Sequence, residues 1–236
     1  MKQPVSIFSL FLLAILVPLT YLGLGTGGAV AAQEEPSVEE IVHRTNLTSY
    51  FQARDGRTQV AMTITDSQGR TRQRRITVLR RDEPATDAVD GAAYRGEQKY
   101  YAYFHRPADV NKMVFLVWKH LDGDDDRWLY LPALDLVKRI AAADKRTSFV
   151  GSDILYEDVS GRNIDLDAHE LVDTTANYYV LRHTPKDPTI VEFASYITYI
   201  HKETYLLVRS EYYDQNGEKY RVFEAQEVAT IQGYPT

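Results

Sequence analysis

The chain of 236 residues contains no cysteine. That excludes a disulfide framework and any thiolate metal site. It also excludes a chain that is itself lipid-modified at a cysteine. Histidine is sparse and scattered, at positions 43, 105, 120, 169, 183 and 201, with no His-Glu-x-x-His motif and no i, i+4 pair. Nothing in that spacing prefigures a zinc site. No Gly-x-Ser-x-Gly elbow occurs, since Ser152 in Gly151-Ser152-Asp153 lacks the second glycine. No glycine-rich phosphate loop is present either. Positive charge is in deficit, 27 basic against 33 acidic residues, which argues against a nucleic-acid partner. Neither an internal repeat nor a low-complexity tract appears. The expectation is a non-enzymatic protein with no catalytic residues, no metal and no cofactor.

What is present begins with an export signal. A thin basic start, Met1-Lys2-Gln3, precedes a mostly apolar run from Ile7 to Leu24, and Ala29-Val30-Ala31-Ala32 supplies small residues before Gln33-Glu34-Glu35-Pro36. That pattern reads as a cleavable signal over residues 1–32; the alternative is an uncleaved membrane anchor. Cleavage after Ala32 leaves 236 − 32 = 204 residues and a charge of 26 − 33 = −7, with histidine neutral.

The remainder, residues 33–236, reads as one β-rich domain. Ser37 with Glu40 forms a capping box, and Ile41, Leu47 and Phe51 suggest one face of a short amphipathic helix. Thr58 to Asp66 alternates, with Val60, Met62 and Ile64 on one side. Ser67-Gln68-Gly69 turns the chain into a partner strand holding six arginines between Arg70 and Arg81. Asp82 to Arg95 reads as a loop. Further strands follow at Gly96–His105 and Lys112–Lys119, with hairpins at 169–183 and 205–228 and a strand at 190–201. Asn216-Gly217 is a strong turn signal. Nine or ten short strands after one helix, with no βαβ rhythm, predict an antiparallel sheet or barrel.

The most distinctive stretch is Met113 to Arg162. It runs Val114-Phe115-Leu116-Val117-Trp118, then Asp122-Gly123-Asp124-Asp125-Asp126, then Trp128-Leu129-Tyr130-Leu131-Pro132-Ala133-Leu134. Lys138-Arg139-Ile140, Gly151-Ser152-Asp153 and Tyr156-Glu157-Asp158 follow. The acidic loop offers carboxylates that suit Ca²⁺ but departs from the EF-hand spacing, so a solvated hairpin loop is the plainer reading. In order and content this block resembles the bacterial outer-membrane lipoprotein-sorting protein family, the LolA-like carriers. The resemblance extends less sharply from Glu39 to the C-terminus.

The resemblance implies a half-open antiparallel β-barrel with an N-terminal helix and short lid helices. It implies a periplasmic carrier that holds acyl chains of lipoproteins or lipids in an apolar concavity for transfer toward the outer membrane. An inner-membrane transporter and an outer-membrane acceptor are the partners it suggests. Strand parity nominates Val60, Met62, Ile64, Ile76, Val78, Tyr101, Tyr103, Leu116, Trp118, Leu129 and Leu131 as the lipid-binding wall; a one-residue slip would exchange faces. A second reading is an envelope interaction module using the arginine-rich hairpin 70–81. A third, an enzyme, would rest on Ser152, His120 or Asp125. The family's fold also implies strands beyond Ala229–Thr236, so residues 218–228 are expected at a sheet edge, in a chain truncated at its C-terminus.

Overall fold

The computed structural model describes residues 35–83, 97–120 and 123–236. The expected signal at 1–32 and most of the loop after Asp82 lie outside these residues. Within the unit Pro36–Thr236, Ser37 caps α1 (Val38–Tyr50), its hydroxyl accepting from the Glu40 N–H at 3.2 Å. Two antiparallel meanders follow. Six strands, β1 (Asp55–Thr65), β2 (Thr71–Glu83), β3 (Glu97–Arg106), β4 (Val114–Lys119), β5 (Asp126–Leu131) and β6 (Leu136–Ile140), pair in chain order. Five more, β7 (Asp167–Thr174), β8 (Tyr178–Pro185), β9 (Ser195–His201), β10 (Leu207–Tyr213) and β11 (Lys219–Glu224), form a second sheet, also in chain order. A two-residue pair, β12 (Thr230–Ile231) with β13 (Tyr234–Pro235), ends the chain. Neither sheet closes on itself, so the architecture is mainly β, antiparallel and not a closed barrel. β11 is an edge strand of its sheet, as expected, with Tyr220 and Val222 exposed.

Turn chemistry sets the order. The Asp66 carboxylate accepts from the N–H groups of Gln68 and Arg70, closing the β1–β2 hairpin. Asp214 does the same for Asn216 and Glu218 between β10 and β11. Such side-chain acceptors replace backbone partners lost in the turn.

One face of the first sheet is packed solid. Ile76, Tyr100, Ala102, Phe104, Phe115, Val117, Leu129 and Ile140 are buried there beneath Phe149, with Val150, Ile154, Tyr156 and Val159 packed alongside. Phe149 lies 5.3 Å from Phe115 and 5.8 Å from Phe104, ring to ring, and Tyr156 lies 5.1 Å from Phe115. Burial of each such side chain is worth about 1.5–3 kcal/mol. The second sheet packs instead against α1, where Ile41 and Val42 meet Tyr179, Leu181 and Ile200.

Several expectations need correction. The inner face of α1 starts with Ile41 and Val42 and runs along Thr45, Asn46, Ser49 and Tyr50, not along Leu47 and Phe51. Leu136–Ile140 is a full strand, although Leu136 and Val137 are exposed and the segment carries little apolar alternation. Of the six arginines between Arg70 and Arg81, Arg74 and Arg80 are withdrawn from solvent. Arg80 donates to the carbonyls of Tyr50, Gln52 and Ala53, satisfying acceptors that the end of α1 leaves open. Arg80 therefore ties the helix to the first sheet.

Candidate functional site

Between α1 and the second sheet lies a cavity of about 420 Å³. Its helical wall is Val42, Thr45, Asn46, Ser49 and Tyr50, the i, i+3, i+4, i+7, i+8 spacing of a single helix face. Its floor follows from register. His169, His183, Tyr196, Tyr212 and Arg221 stand opposite one another on β7 to β11 and form one rung across all five strands. The next rung is Leu171, Leu181, Thr198, Ser210 and Phe223. Thr198 and Ser210 are small, and Thr45 and Ser49 cover them from the helix. Small side chains on both sides leave the hollow that larger ones would fill.

The first rung is an aromatic stack. His183 lies 4.4 Å from Tyr196 with planes 13° apart, and Tyr196 lies 4.9 Å from Tyr212 at 19°. Phe193 meets both tyrosines edge-on. Burial pushes the Tyr196 phenol well above its ordinary range, and the Asp167 carboxylate beside it adds to the rise. Tyr196 Oη donates to Asp167 at 2.9 Å, and Arg162 pairs with the same carboxylate. Burial, aided by neighbouring His169, drives His183 down to about 3. It stays neutral through ordinary pH.

Its hydrogen bonds fix the tautomer. His169 Nε2 faces the Ile164 carbonyl at 2.9 Å and must carry the proton. When each ring carries one proton, His169 Nδ1 accepts from His183 Nδ1 at 2.7 Å. His183 Nε2 is left as an acceptor, so the Thr198 hydroxyl donates to it at 2.7 Å. Thr198 thereby presents only oxygen lone pairs to the cavity. Above it, the hydroxyls of Thr45 and Ser49 are buried without a hydrogen-bond partner.

The charged groups at the cavity's margin are already matched. Arg146 pairs with Glu157 and Glu192. Arg162 pairs with Asp167, its Nη1 lying 3.6 Å from Glu157. Arg209 pairs with Glu211 and Glu224, and Asp158 with Arg221. Burial opposes ionisation of Glu211, yet hydrogen bonds from Arg209, Lys219 and Tyr213 outweigh it and hold the carboxyl at about 2.

One corner is set by Tyr50. Its ring packs on Gly161, and half-buried Lys119, which donates to the Ser160 and Gly161 carbonyls, sits 5.7 Å from the ring centre. Burial lowers the Lys119 ammonium and raises the Tyr50 phenol to about 12.

None of the eleven residues chosen by strand parity lines this cavity. They also divide between two faces. Val60, Met62, Ile76, Val78, Leu129 and Leu131 belong to or pack against the first core. Tyr101, Tyr103, Leu116 and Trp118 point away from it, because the buried members of β3 and β4 are Tyr100, Ala102, Phe104, Phe115 and Val117. Met62 and Ile64 line a separate hollow of about 180 Å³ with Ser152, Ile154, Arg221 and Phe223. Phe223 borders both hollows.

The residues considered for catalysis are each engaged locally. Ser152 donates within its own turn to the Phe149 carbonyl, His120 bridges Glu97 and Asp126, and Asp125 is paired with Arg127. Asp124 faces Lys145, and Asp126 also pairs with Arg139. Among the described residues, no group of three acidic or histidine side chains is placed to hold a metal ion. No helix of the described residues is long and apolar enough to cross a membrane.

Solved structures share this architecture. A DUF1329 family protein from Desulfovibrio piger superposes with a TM-score of 0.69 at 27% identity, over 83% of this chain and 80% of that one. An outer membrane lipoprotein-sorting protein domain from Vibrio parahaemolyticus gives 0.69 at 25% identity, over 84% and 80%. A LolA superfamily protein from Nitrosomonas europaea gives 0.59 at 15%, over 84% and 81%, which shows the fold alone. The likeness to outer-membrane lipoprotein-sorting and LolA-like proteins is thus visible in structure as well as in the central sequence block. Comparison with curated proteins finds no match. Residues 96–236 match a family model described as "Uncharacterized protein"-like, and, with well over half its length so matched, this chain of LolA-like fold belongs to that family.

Proposed function

We propose that this protein is a non-enzymatic carrier of acyl chains, working in the periplasm after export by the signal at 1–32. The observation that supports the reading is the cavity of about 420 Å³ between α1 and an aromatic sheet floor. That size falls within the range of about 300–1,000 Å³ typical of small-molecule sites. Allowing about 30 Å³ for each water-sized group, it accommodates on the order of a dozen methylenes, one acyl chain rather than several. A dozen buried methylenes contribute on the order of 10 kcal/mol before ordering costs are subtracted. Release then needs only opening of the site or a better-sealed acceptor, with no bond broken. The cargo is a lipoprotein or a free lipid, and an inner-membrane transporter and an outer-membrane acceptor complete the path.

Part of the wall chosen by strand parity fits this reading as an extension of the site, whereas Tyr101, Tyr103, Leu116 and Trp118 point the other way. Met62 and Ile64 flank the neighbouring hollow that shares Phe223. Val60, Ile76, Val78, Leu129 and Leu131 would meet a further chain only if Phe149 and Tyr156 swung off the first sheet.

The test is native mass spectrometry of the purified protein with a titration of a fluorescent acyl ester. Ser210→Leu, which fills the floor, should abolish uptake and leave the fold intact. Absence of bound lipid together with absence of uptake by the unmodified protein would overturn the proposal.

A further inference from the structure

The cavity is not a plain hydrocarbon slot. Two hydroxyls one helical turn apart, Thr45 Oγ1 and Ser49 Oγ, are buried without a partner on its helical wall. Orphaned buried hydroxyls are destabilising unless something meets them. On the floor, Thr198 offers lone pairs only, its proton being committed to His183 Nε2 through the chain that ends at the Ile164 carbonyl. On the helical wall these two buried O–H groups sit beside the Asn46 amide, and on the floor the Thr198 acceptor lies beside the Ser210 hydroxyl. Its cations, Arg146, Arg162 and Arg209, already face carboxylates. An incoming carboxylate would meet cations that already face acids, although the buried Arg162 Nη1 lacks a hydrogen bond, and it would sit near Asp158 and Glu224, which line the same space.

We propose that the cavity selects an uncharged acyl ester or amide. The ligand carbonyl accepts from Thr45 and Ser49, and an adjacent hydroxyl or amide N–H donates to Thr198. A bare alkane satisfies none of these groups, and an ionised fatty acid supplies acceptors without a donor and adds a charge. The inference rests on the carrier reading and narrows its cargo. Ester linkages occur in free acylglycerols, and ester and amide linkages at the acylated end of a lipoprotein, so an uncharged acyl carbonyl is shared by the two sources.

Displacement of a bound fluorescent acyl ester from the purified chain tests it. The competitors are 1-lauroylglycerol, a peptide bearing an N-lauroyl cysteine, lauric acid and dodecane, at a pH above the ordinary imidazole range. The expected result is that one or both neutral acyl ligands displace the probe at concentrations at least tenfold below lauric acid and dodecane. The stronger of the two identifies the source as free lipid or lipoprotein. In Thr45→Val/Ser49→Ala the preference of the neutral acyl ligands over dodecane should fall about tenfold, and Thr45→Ser, which keeps the hydroxyl, should retain it. Should the double variant fail to fold, Ser49→Ala alone carries the test. Equal competition by all four ligands, or a preference untouched by the substitutions, overturns the inference while the carrier reading stands. No binding of the acyl probe at all overturns both.

Discussion

Gly161→Ala is the sharpest test of how the cavity corner is built. A Cβ placed on Gly161 would lie 2.5 Å from Tyr50 Cζ and 2.7 and 2.8 Å from its Cε atoms, and the backbone there has φ of +79°. Two separable effects follow. A left-handed conformation for alanine costs about 1–2 kcal/mol. Forcing a methyl into a packed ring costs about 1–3 kcal/mol more. The sum, on the order of 2–5 kcal/mol, is a large part of the ~5–15 kcal/mol of a whole domain. At about 2–4 °C per kcal/mol for a domain of this size, the midpoint should fall by roughly 10 °C. Gly217→Ala is the control: φ is again +79°, but nothing lies within 4 Å, so only the conformational cost should appear. Thermal melts of both variants, with a double-mutant cycle against Tyr50→Leu, read the two effects apart. Tyr50→Leu should recover more than about 1 kcal/mol in the Gly161→Ala background. If Gly161→Ala melts no lower than Gly217→Ala, or the cycle is additive, the ring contact is not what holds this corner.

Other expectations concern the tie, the titrating groups and the surface. Arg80→Ala removes three hydrogen bonds to the end of α1 and should destabilise by about 2–4 kcal/mol in chemical denaturation, with α1 amides exchanging faster; unchanged exchange would sink the assignment. His183 is lowered on folding, so its stabilising effect is complete above the unfolded value near 6.5 and is lost as pH falls from there toward about 3. His183→Phe should flatten the denaturation midpoint between pH 6.5 and 4, and a slope identical to that of the unmodified protein would refute the buried neutral ring. Glu211, depressed to about 2, adds stability above pH ~4.5 that is lost below it, and Glu211→Gln should remove that lower acid limb. Exposed Arg72 and Arg75 form no ion pair among the described residues, Arg72 acting only at a distance on Asp66, so Arg72→Glu/Arg75→Glu should leave the melt and acyl uptake intact; a lost envelope partner in pull-down would instead favour the interaction-module reading.

Much of the fold was legible because its signals are local. The Ser37–Glu40 cap, the Asp66 turn and Asn216-Gly217 each act within a few residues, and each marks a boundary that the structure keeps. Alternation of Val60 and Met62 marks the face of β1 that packs against the first core. It failed in β3 and β4 because both parities there are apolar: Tyr100 and Tyr101, Phe115 and Leu116, Val117 and Trp118 compete, and only the arrival of Phe149 from forty residues away decides which is buried. Arg80 misled for a similar reason. An arginine in a strand looks solvated until the open carbonyls of a distant helix end claim it.

The cavity was illegible for a deeper reason: it is an absence of bulk, distributed over separate elements. Thr45 and Ser49 read as ordinary polar turns of a surface helix. Thr198 and Ser210 read as polar members of alternating strands. Only the pairing of β9 with β10 puts the latter two side by side, and only the docking of α1 through Ile41 and Val42 sets the former two above them. Hydrophobic pattern finds surfaces that must be covered, so it led to the first sheet, whose apolar face is covered by its own chain. A binding hollow needs the opposite: small and polar side chains at positions whose register says buried. His183 and Thr198, both buried in strands that otherwise carry leucine and isoleucine, are the sequence's trace of it. Polar residues at core parity on neighbouring strands are therefore the sequence mark of a hollow beneath a docked helix.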